Sequence, residues 1–431
     1  MQKKMSVLFL GTGPAAIQTA VLIKHYFSVQ LGISGRNSVS AQILYKAFAE
    51  NGNCGSVTVQ NEKHKKLEGE VVFDYVFKDY TEVDGKWDII VLAVTNDAYL
   101  AVLKSINQDV LKSVETIILI SSCIGSTSII KNFLQTRKLC TEIITFSTYY
   151  GDTKMNTKLN NPACVLTKNI KKRIYLSTTS QNKERGILFN LIKILRDIGI
   201  DTVLMESGFA AESRCISTYV HPPILMNSFS LSHILNLKLP PKYVYKFFPE
   251  GPITQYVIHD MRQQQEEIQT ILSSLNVPGF NFLKFINDDN YPVMDACLSR
   301  NDVNNFEYFD HTKQEYLLYI RYASILVDPY STPDDNGRYF DFSAAPLQRI
   351  YKNIDGYWYI PRSPKEDYYR LSLLKGIATY KNIPTVVIDK LVSNYRETVI
   401  KFRNESQNEL LSEDFWPDAY GEDIHYLIST L

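Results

Sequence analysis

The chain has no excess charge of either sign: 46 basic residues stand against 46 acidic ones in 431. That balance excludes a one-signed field of the kind that draws a protein to nucleic acid or to an anionic membrane surface. None of the six cysteines (54, 123, 140, 164, 215, 297) falls in a C-x-x-C pair. The spacing argues against a zinc site or a disulfide frame, and for reduced, mostly buried thiols of a cytoplasmic protein. No apolar run approaches a membrane span. The apolar stretch after Met1–Ser6, about five residues long, is too short for a signal-peptide core. Internal repeats and low-complexity segments are absent. Tyrosine, by contrast, is abundant, with 28 residues concentrated after residue 240, a pattern that fits core packing better than a stacking platform.

What the chain does carry is a punctuated start. Val7 to Gln18 read V-L-F-L-G-T-G-P-A-A-I-Q, a short apolar run, a glycine turn and an apolar-periodic segment. Gly11, Gly13 and Ala16 occupy the G-x-G-x-x-G/A positions of a dinucleotide-binding unit. Gly11 allows the tight turn, Gly13 lets the backbone approach a pyrophosphate, and Ala16 lets the helix lie on the strand. Pro14 suits a first helical turn. With Thr12 and Ala15, these residues predict an anion site on the free amides of a helix N-terminus.

The length predicts two domains. Strands are expected at Val7–Leu10, Leu31–Ser34, Val71–Phe77, Asp88–Val94, Thr116–Ile120 and Glu142–Ser147, with helices at Ala15–Tyr26, Ala41–Glu50, Ala98–Ile106 and Ser128–Leu134. Strands such as I-I-V-L-A-V, apolar throughout, belong in a parallel sheet covered on both faces. The expected fold is α/β, an N-terminal Rossmann-like doubly wound parallel sheet over residues 1–207 followed by a mainly α-helical domain over 208–431. Ala163–Leu166 and Arg173–Ser177 read as further strands, with a hairpin as one way to pair them; Gly186–Ile198 as a helix; Thr202–Glu206 as a last strand. In the second domain, Thr254–Leu275 predicts a core-facing helix whose solvated side carries Arg262, Gln263, Glu266 and Glu267.

In a dinucleotide-binding unit an acidic residue about twenty positions past the glycines holds the ribose 2′-hydroxyl. Here Ser34-Gly35-Arg36-Asn37-Ser38 contains no carboxylate. Arg36, with Ser34 and Asn37, offers donors for a 2′-phosphate, so NADPH is expected over NADH. Ligands of open α/β sheets lie beyond the carboxyl ends of the strands. Thr95 and Asn96, Ser121, and Tyr149 with Asp152 follow three of those ends. Small hydroxyl groups there serve ribose and nicotinamide, or merely cap helices; Asp152 would set a carboxylate beside the nicotinamide. His221 precedes Pro222 and Pro223, which are expected to end a helix at about His221 and fix the imidazole where it could exchange protons near neutral pH. No metal ligands are expected.

Several longer stretches resemble a known family. Phe146–Thr153 (F-S-T-Y-Y-G-D-T), Tyr219–Pro223 (Y-V-H-P-P), Tyr243–Lys246 (Y-V-Y-K), Phe248–Thr254 (F-P-E-G-P-I-T), Tyr291–Val293 (Y-P-V) and Tyr339–Ala344 (Y-F-D-F-S-A) are similar to segments of the opine metallophore dehydrogenases. The resemblance implies a two-domain homodimer that uses NADPH to join a histidine-derived aminobutyrate to pyruvate or 2-oxoglutarate, giving a metal chelator without a metal of its own. It also implies His221 and Asp152 as catalytic residues and Arg36 as the 2′-phosphate arginine. A further basic residue that the best-known member carries shortly after that arginine is Gln42 here, which leaves NADH as an alternative.

The chemistry expected is amine addition to the keto carbon, dehydration to an imine, and hydride reduction. His221 moves protons and Asp152 orients its ring. Lys246, Arg214 or Arg262 would hold substrate carboxylates. Two rivals remain at this point: an NADP-dependent hydroxy-acid dehydrogenase, and a non-catalytic NADPH sensor.

Overall fold

In a computed structural model of the chain the described residues are 4–159, 161–181, 186–429 and 431. They divide into two compact units, one ending at Cys215 and the other running from Ile216 to Ser429.

The first unit contains, in order, β1 (Met5–Leu10), α1 (Pro14–Tyr26), β2 (Val29–Ser34), α2 (Val39–Glu50), β3 (Cys54–Val59), β4 (Gly69–Val72), β5 (Tyr75–Phe77), β6 (Ile89–Leu92), α3 (Tyr99–Ser105), α4 (Gln108–Ser113), β7 (Thr116–Leu119), α5 (Ser126–Thr136), β8 (Glu142–Phe146), β9 (Gly151–Met155), β10 (Cys164–Ile170), β11 (Arg173–Thr178), α6 (Ile187–Asp197), β12 (Asp201–Leu204) and α7 (Gly208–Glu212). Eight strands form one sheet in the order β12-β11-β8-β7-β6-β1-β2-β5. From β5 to β8 all neighbours are parallel, and β11 runs antiparallel to β8. The direction of winding reverses between β1 and β6, the place where a doubly wound sheet opens a crevice for a ligand. Burial explains the continuous apolar strands. Every side chain of β6 is at most 5% exposed, and each such aliphatic group contributes about 1.5–3 kcal/mol when fully buried.

Two strand expectations need correction. The run Val71–Phe77 is not one strand. It breaks after Val72, so that β4 joins a second sheet, β4-β3-β10-β9, while β5 joins the main one. Asp74 lies at the break, and its carboxylate accepts the Leu31 amide at 2.8 Å, a bond that a continuous strand would forfeit. The segments around 163–177 do not form a hairpin either: β10 pairs with β3 and β9, β11 with β8 and β12. The small sheet was invisible as a unit because the pairing that joins its two local strand pairs, β3 with β10, links segments far apart in the sequence.

Glu212, at the end of α7, is fully buried. It accepts hydrogen bonds from the amides of Gly125 (2.8 Å) and Thr127 (2.7 Å) and from the Thr127 hydroxyl (2.6 Å), which ties α7 to the N-terminus of α5. Burial outweighs these bonds and raises its carboxyl to about 7.

The second unit is chiefly helical: α8 (Ser217–Leu225), α9 (Ser228–Leu235), α10 (Gln255–Ser274), α11 (Phe282–Asp288), α12 (Arg300–Asn305), α13 (His311–Ser324), a two-stranded ribbon of β13 (Tyr351–Lys352) and β14 (Trp358–Tyr359), α14 (Arg362–Tyr380), α15 (Val386–Glu405) and α16 (Gly421–Ile428). The expected core face of α10 is there: Val257, Met261, Ile268, Ile271 and Leu272 are buried. Its supposed solvated side is not uniformly so. Arg262 is buried and ion-paired to Glu266 (2.7 Å) and Glu315 (2.8 Å).

The prolines after His221 do not end α8, which continues through both to Leu225. Pro222 and Pro223 leave the carbonyls four residues back, on Thr218 and Tyr219, without their helical donors. The Gln264 carboxamide of α10 supplies the missing hydrogens, donating from Nε2 to Thr218 O at 3.0 Å and Tyr219 O at 3.3 Å. A side chain from another helix thus makes a double proline tolerable inside this one.

Candidate active site

On the first unit the glycine turn fits an anion. Gly11 has φ +123°, donates its amide to Ser34 O at 2.7 Å, and lies so close to the end of β6 that a Cβ would sit 2.4 Å from Ala93 O. Only glycine suits that place. Gly13 faces open space. It is the N-cap of α1, has no side chain to bond the first-turn amides, and Pro14 follows it at the first helical position. The amides and dipole of α1 therefore point into room that a pyrophosphate could take. Thr12 of this turn lies beside Gly35 at the end of β2, while Ala15 and Ala16 form the first turn of α1.

The carboxyl edge of the sheet carries unmet polar groups. Asn96, after β6, is 1% exposed, and neither Oδ1 nor Nδ2 has a partner. The hydroxyls of Ser34, at the end of β2, and Ser122, after β7, are likewise buried and unpartnered. Buried polar atoms without partners are unfavourable unless something else bonds them, and a dinucleotide laid along this edge would. Thr95 begins the turn at Asn96 without capping it. The main chain of Ser121 is held by Tyr99, whose hydroxyl donates to Ser121 O at 2.8 Å.

Asp152 lies on β9, half-exposed, 3.8 Å from Lys154 Nζ. Its neighbours secure the strand. The Tyr149 hydroxyl donates to Gln18 Oε1 of α1 at 2.9 Å and lies 3.1 Å from the Thr153 hydroxyl, and the Tyr150 hydroxyl donates to Thr19 at 3.2 Å. Tyr149 is thus engaged within the first unit, and burial raises its hydroxyl well above the ordinary tyrosine value.

In the second unit His221 is brought to a carboxylate that the sequence did not reveal. Its Nδ1 lies 3.5 Å from Oδ1 of Asp367 on α14. Asp367 is fully buried and accepts a 2.6 Å bond from Arg370 Nη1. Arg370 also reaches Glu366, and Glu366 in turn pairs with Arg362 at 2.8 Å. Burial alone would raise the Asp367 carboxyl. The His221 imidazole and the Arg370 guanidinium more than offset that and hold it below its ordinary value, so a carboxylate faces the imidazole. Asp367 was missed because a D-x-x-R pair on a helix reads as a solvated ion pair; nothing local marks it as buried. Lys246, the expected carboxylate holder, is paired with Asp341 at 3.1 Å. Arg262 is committed to its two glutamates.

The profile of the staphylopine dehydrogenase family matches residues 5–431. The chain is 39% identical over 411 residues to the staphylopine synthase of Staphylococcus aureus (strain Mu50 / ATCC 700699), covering 95% of this chain and 94% of that protein.

The chain belongs to the staphylopine dehydrogenase family.

Another relative is the pseudopaline synthase of Pseudomonas aeruginosa (strain UCBPP-PA14), 34% identical over 397 residues, with 92% and 90% of the two chains covered. Among solved structures, a yersinopine dehydrogenase with NADP+ bound superposes with a TM-score of 0.91 at 29% identity, covering 100% of this chain and 99% of that one. Membership of the family makes the protein an oxidoreductase of the opine dehydrogenase type. Among the described residues no helix is long and apolar enough to cross a membrane.

Proposed function

We propose that the protein is an opine metallophore dehydrogenase that condenses an α-keto acid, pyruvate or 2-oxoglutarate, with a histidine-derived aminobutyrate and reduces the resulting imine with NADPH. The observation that carries this reading is the pairing of His221 with the buried Asp367, in a chain whose first unit has a glycine turn shaped for a pyrophosphate. NADPH, when bound, supplies hydride to the imine carbon. Gly11, Thr12, Gly13, Pro14, Ala15 and Ala16 are proposed to hold its pyrophosphate, Ser34, Arg36 and Asn37 its adenosine ribose, and Thr95, Asn96 and Ser121 its nicotinamide half.

His221 is proposed to move the protons. The amine must attack as a neutral nucleophile, and the carbinolamine must lose water with an acid's help. With Nδ1 turned to Asp367, Nε2 is the atom left to take a proton from the amine and return it to the departing hydroxyl. The Asp367 carboxylate fixes the ring tautomer and stabilises the imidazolium, a role that sequence reading gave to Asp152. Asp152 is kept as a proposed catalytic group on the first unit, where it would orient the substrate amine. Lys246 and Tyr149 are kept as proposed substrate contacts, each held by a bonded neighbour, Asp341 and Gln18. Homodimerisation and a cytoplasmic location belong to the same proposal, the latter supported by six free cysteines.

The test follows NADPH absorbance with keto acid alone, with amine alone and with both, and weighs the products by mass spectrometry. Oxidation only when both are present, with a product equal to their sum less one oxygen atom, is expected: water leaves, and two hydrogens enter. Oxidation with keto acid alone would replace this reading with that of a hydroxy-acid dehydrogenase. Tight NADPH binding without turnover on any substrate pair would leave the sensor.

A further inference from the structure

The sequence shows no carboxylate in the turn after β2, but the fold brings one there from elsewhere. Because β5 lies parallel to β2 with Phe77 opposite Ser34, the residues just past both strands run side by side beyond the sheet's carboxyl edge. Asp79 of the β5 side accepts the Asn37 amide on Oδ2 at 3.3 Å. Its other oxygen takes the amide and hydroxyl of Thr81 at 2.9 and 2.7 Å. Those Thr81 bonds hold the carboxyl below its ordinary value, so it is charged near neutral pH. Glu82, three residues on, accepts the Lys78 amide at 3.0 Å.

One donor of this turn is meanwhile committed to the Asp79 carboxylate, and two of its acceptors are engaged locally. The Asn37 amide goes to Asp79, and the Asn37 carboxamide oxygen takes a 3.0 Å bond from Gln42. The Ser38 hydroxyl caps α2 by accepting the Ala41 amide at 3.3 Å. Arg36, which is exposed in the same turn, brings the opposing positive charge. Gly35 marks how near this turn is to the pyrophosphate loop: a Cβ there would lie 2.7 Å from Thr12 Cγ2.

We infer that Asp79 is a coenzyme-specificity residue, which opposes Arg36 at the adenosine ribose and keeps the enzyme competent with NADH as well as NADPH. The inference rests on the proposed coenzyme site. A fixed negative charge near a 2′-phosphate disfavours NADPH and is neutral or favourable toward a 2′-hydroxyl, so it acts on the ratio of the two affinities.

The test is to titrate the full-length protein with NADPH and NADH, following nicotinamide fluorescence, for the wild type, Asp79→Asn and Asp79→Ser. Both substitutions keep an oxygen able to cap Thr81, and both should raise the NADPH:NADH affinity ratio by about tenfold, chiefly by tightening NADPH. The increment should shrink as salt is added, since the turn is exposed. Arg36→Ala should move the ratio the other way. An unchanged ratio in both Asp79 variants, with both coenzymes still bound, overturns the inference and leaves the coenzyme site standing. Failure of the wild type to bind either coenzyme overturns the site and the inference together.

Discussion

The two units carry their candidate functional groups by opposite means. In the first, the work is done by backbone: a glycine turn, the amides of α1 and the parallel edges of β1, β2 and β6. In the second it is done by side chains that meet across helices, His221 from α8, Asp367 and Arg370 from α14, and Gln264 from α10. Backbone sites tolerate change of side chain but not of backbone conformation. Side-chain sites tolerate neither loss of a partner nor its displacement, because each buried polar group left behind is destabilising by about 1–3 kcal/mol.

The sharpest way to break this contrast is Gly11→Ala. Its Cβ would collide with the Ala93 carbonyl oxygen at 2.4 Å from a backbone at φ +123°. Strain and overpacking together should remove about 3 kcal/mol or more of stability, seen as a drop of several degrees in Tm, with coenzyme binding lost. A Gly11→Ala protein that binds coenzyme normally would show that the turn is not a backbone site.

Gln264→Leu probes the other side with a smaller effect. It removes both donors that satisfy the Thr218 and Tyr219 carbonyls beside the prolines. About 2–4 kcal/mol of stability should go, turnover should fall as His221 shifts, and coenzyme affinity should be untouched. Unchanged stability would mean that α8 does not depend on its neighbour for those bonds.

The same contrast decides what could be read from the sequence. The glycine turn, the apolar strands and α10 were legible because their causes are local, a required conformation or a periodic face. The split of Val71–Phe77 was not, since it follows from pairings with distant strands and from the Asp74–Leu31 bond. Asp79 and Asp367 escaped for one common reason. Each acts on a residue far away in the chain, and a carboxylate's sequence neighbours say nothing about which distant group will face it. Pro222 and Pro223 misled in the same way, for the donor that rescues the helix is Gln264.

The most direct test of the account is His221→Ala, assayed for NADPH binding and for turnover with amine and keto acid in the same preparation. Turnover is expected to fall by about a hundredfold or more while NADPH binds as in the wild type. Near-normal turnover would remove the imidazole, and with it the His221–Asp367 pair, from the mechanism.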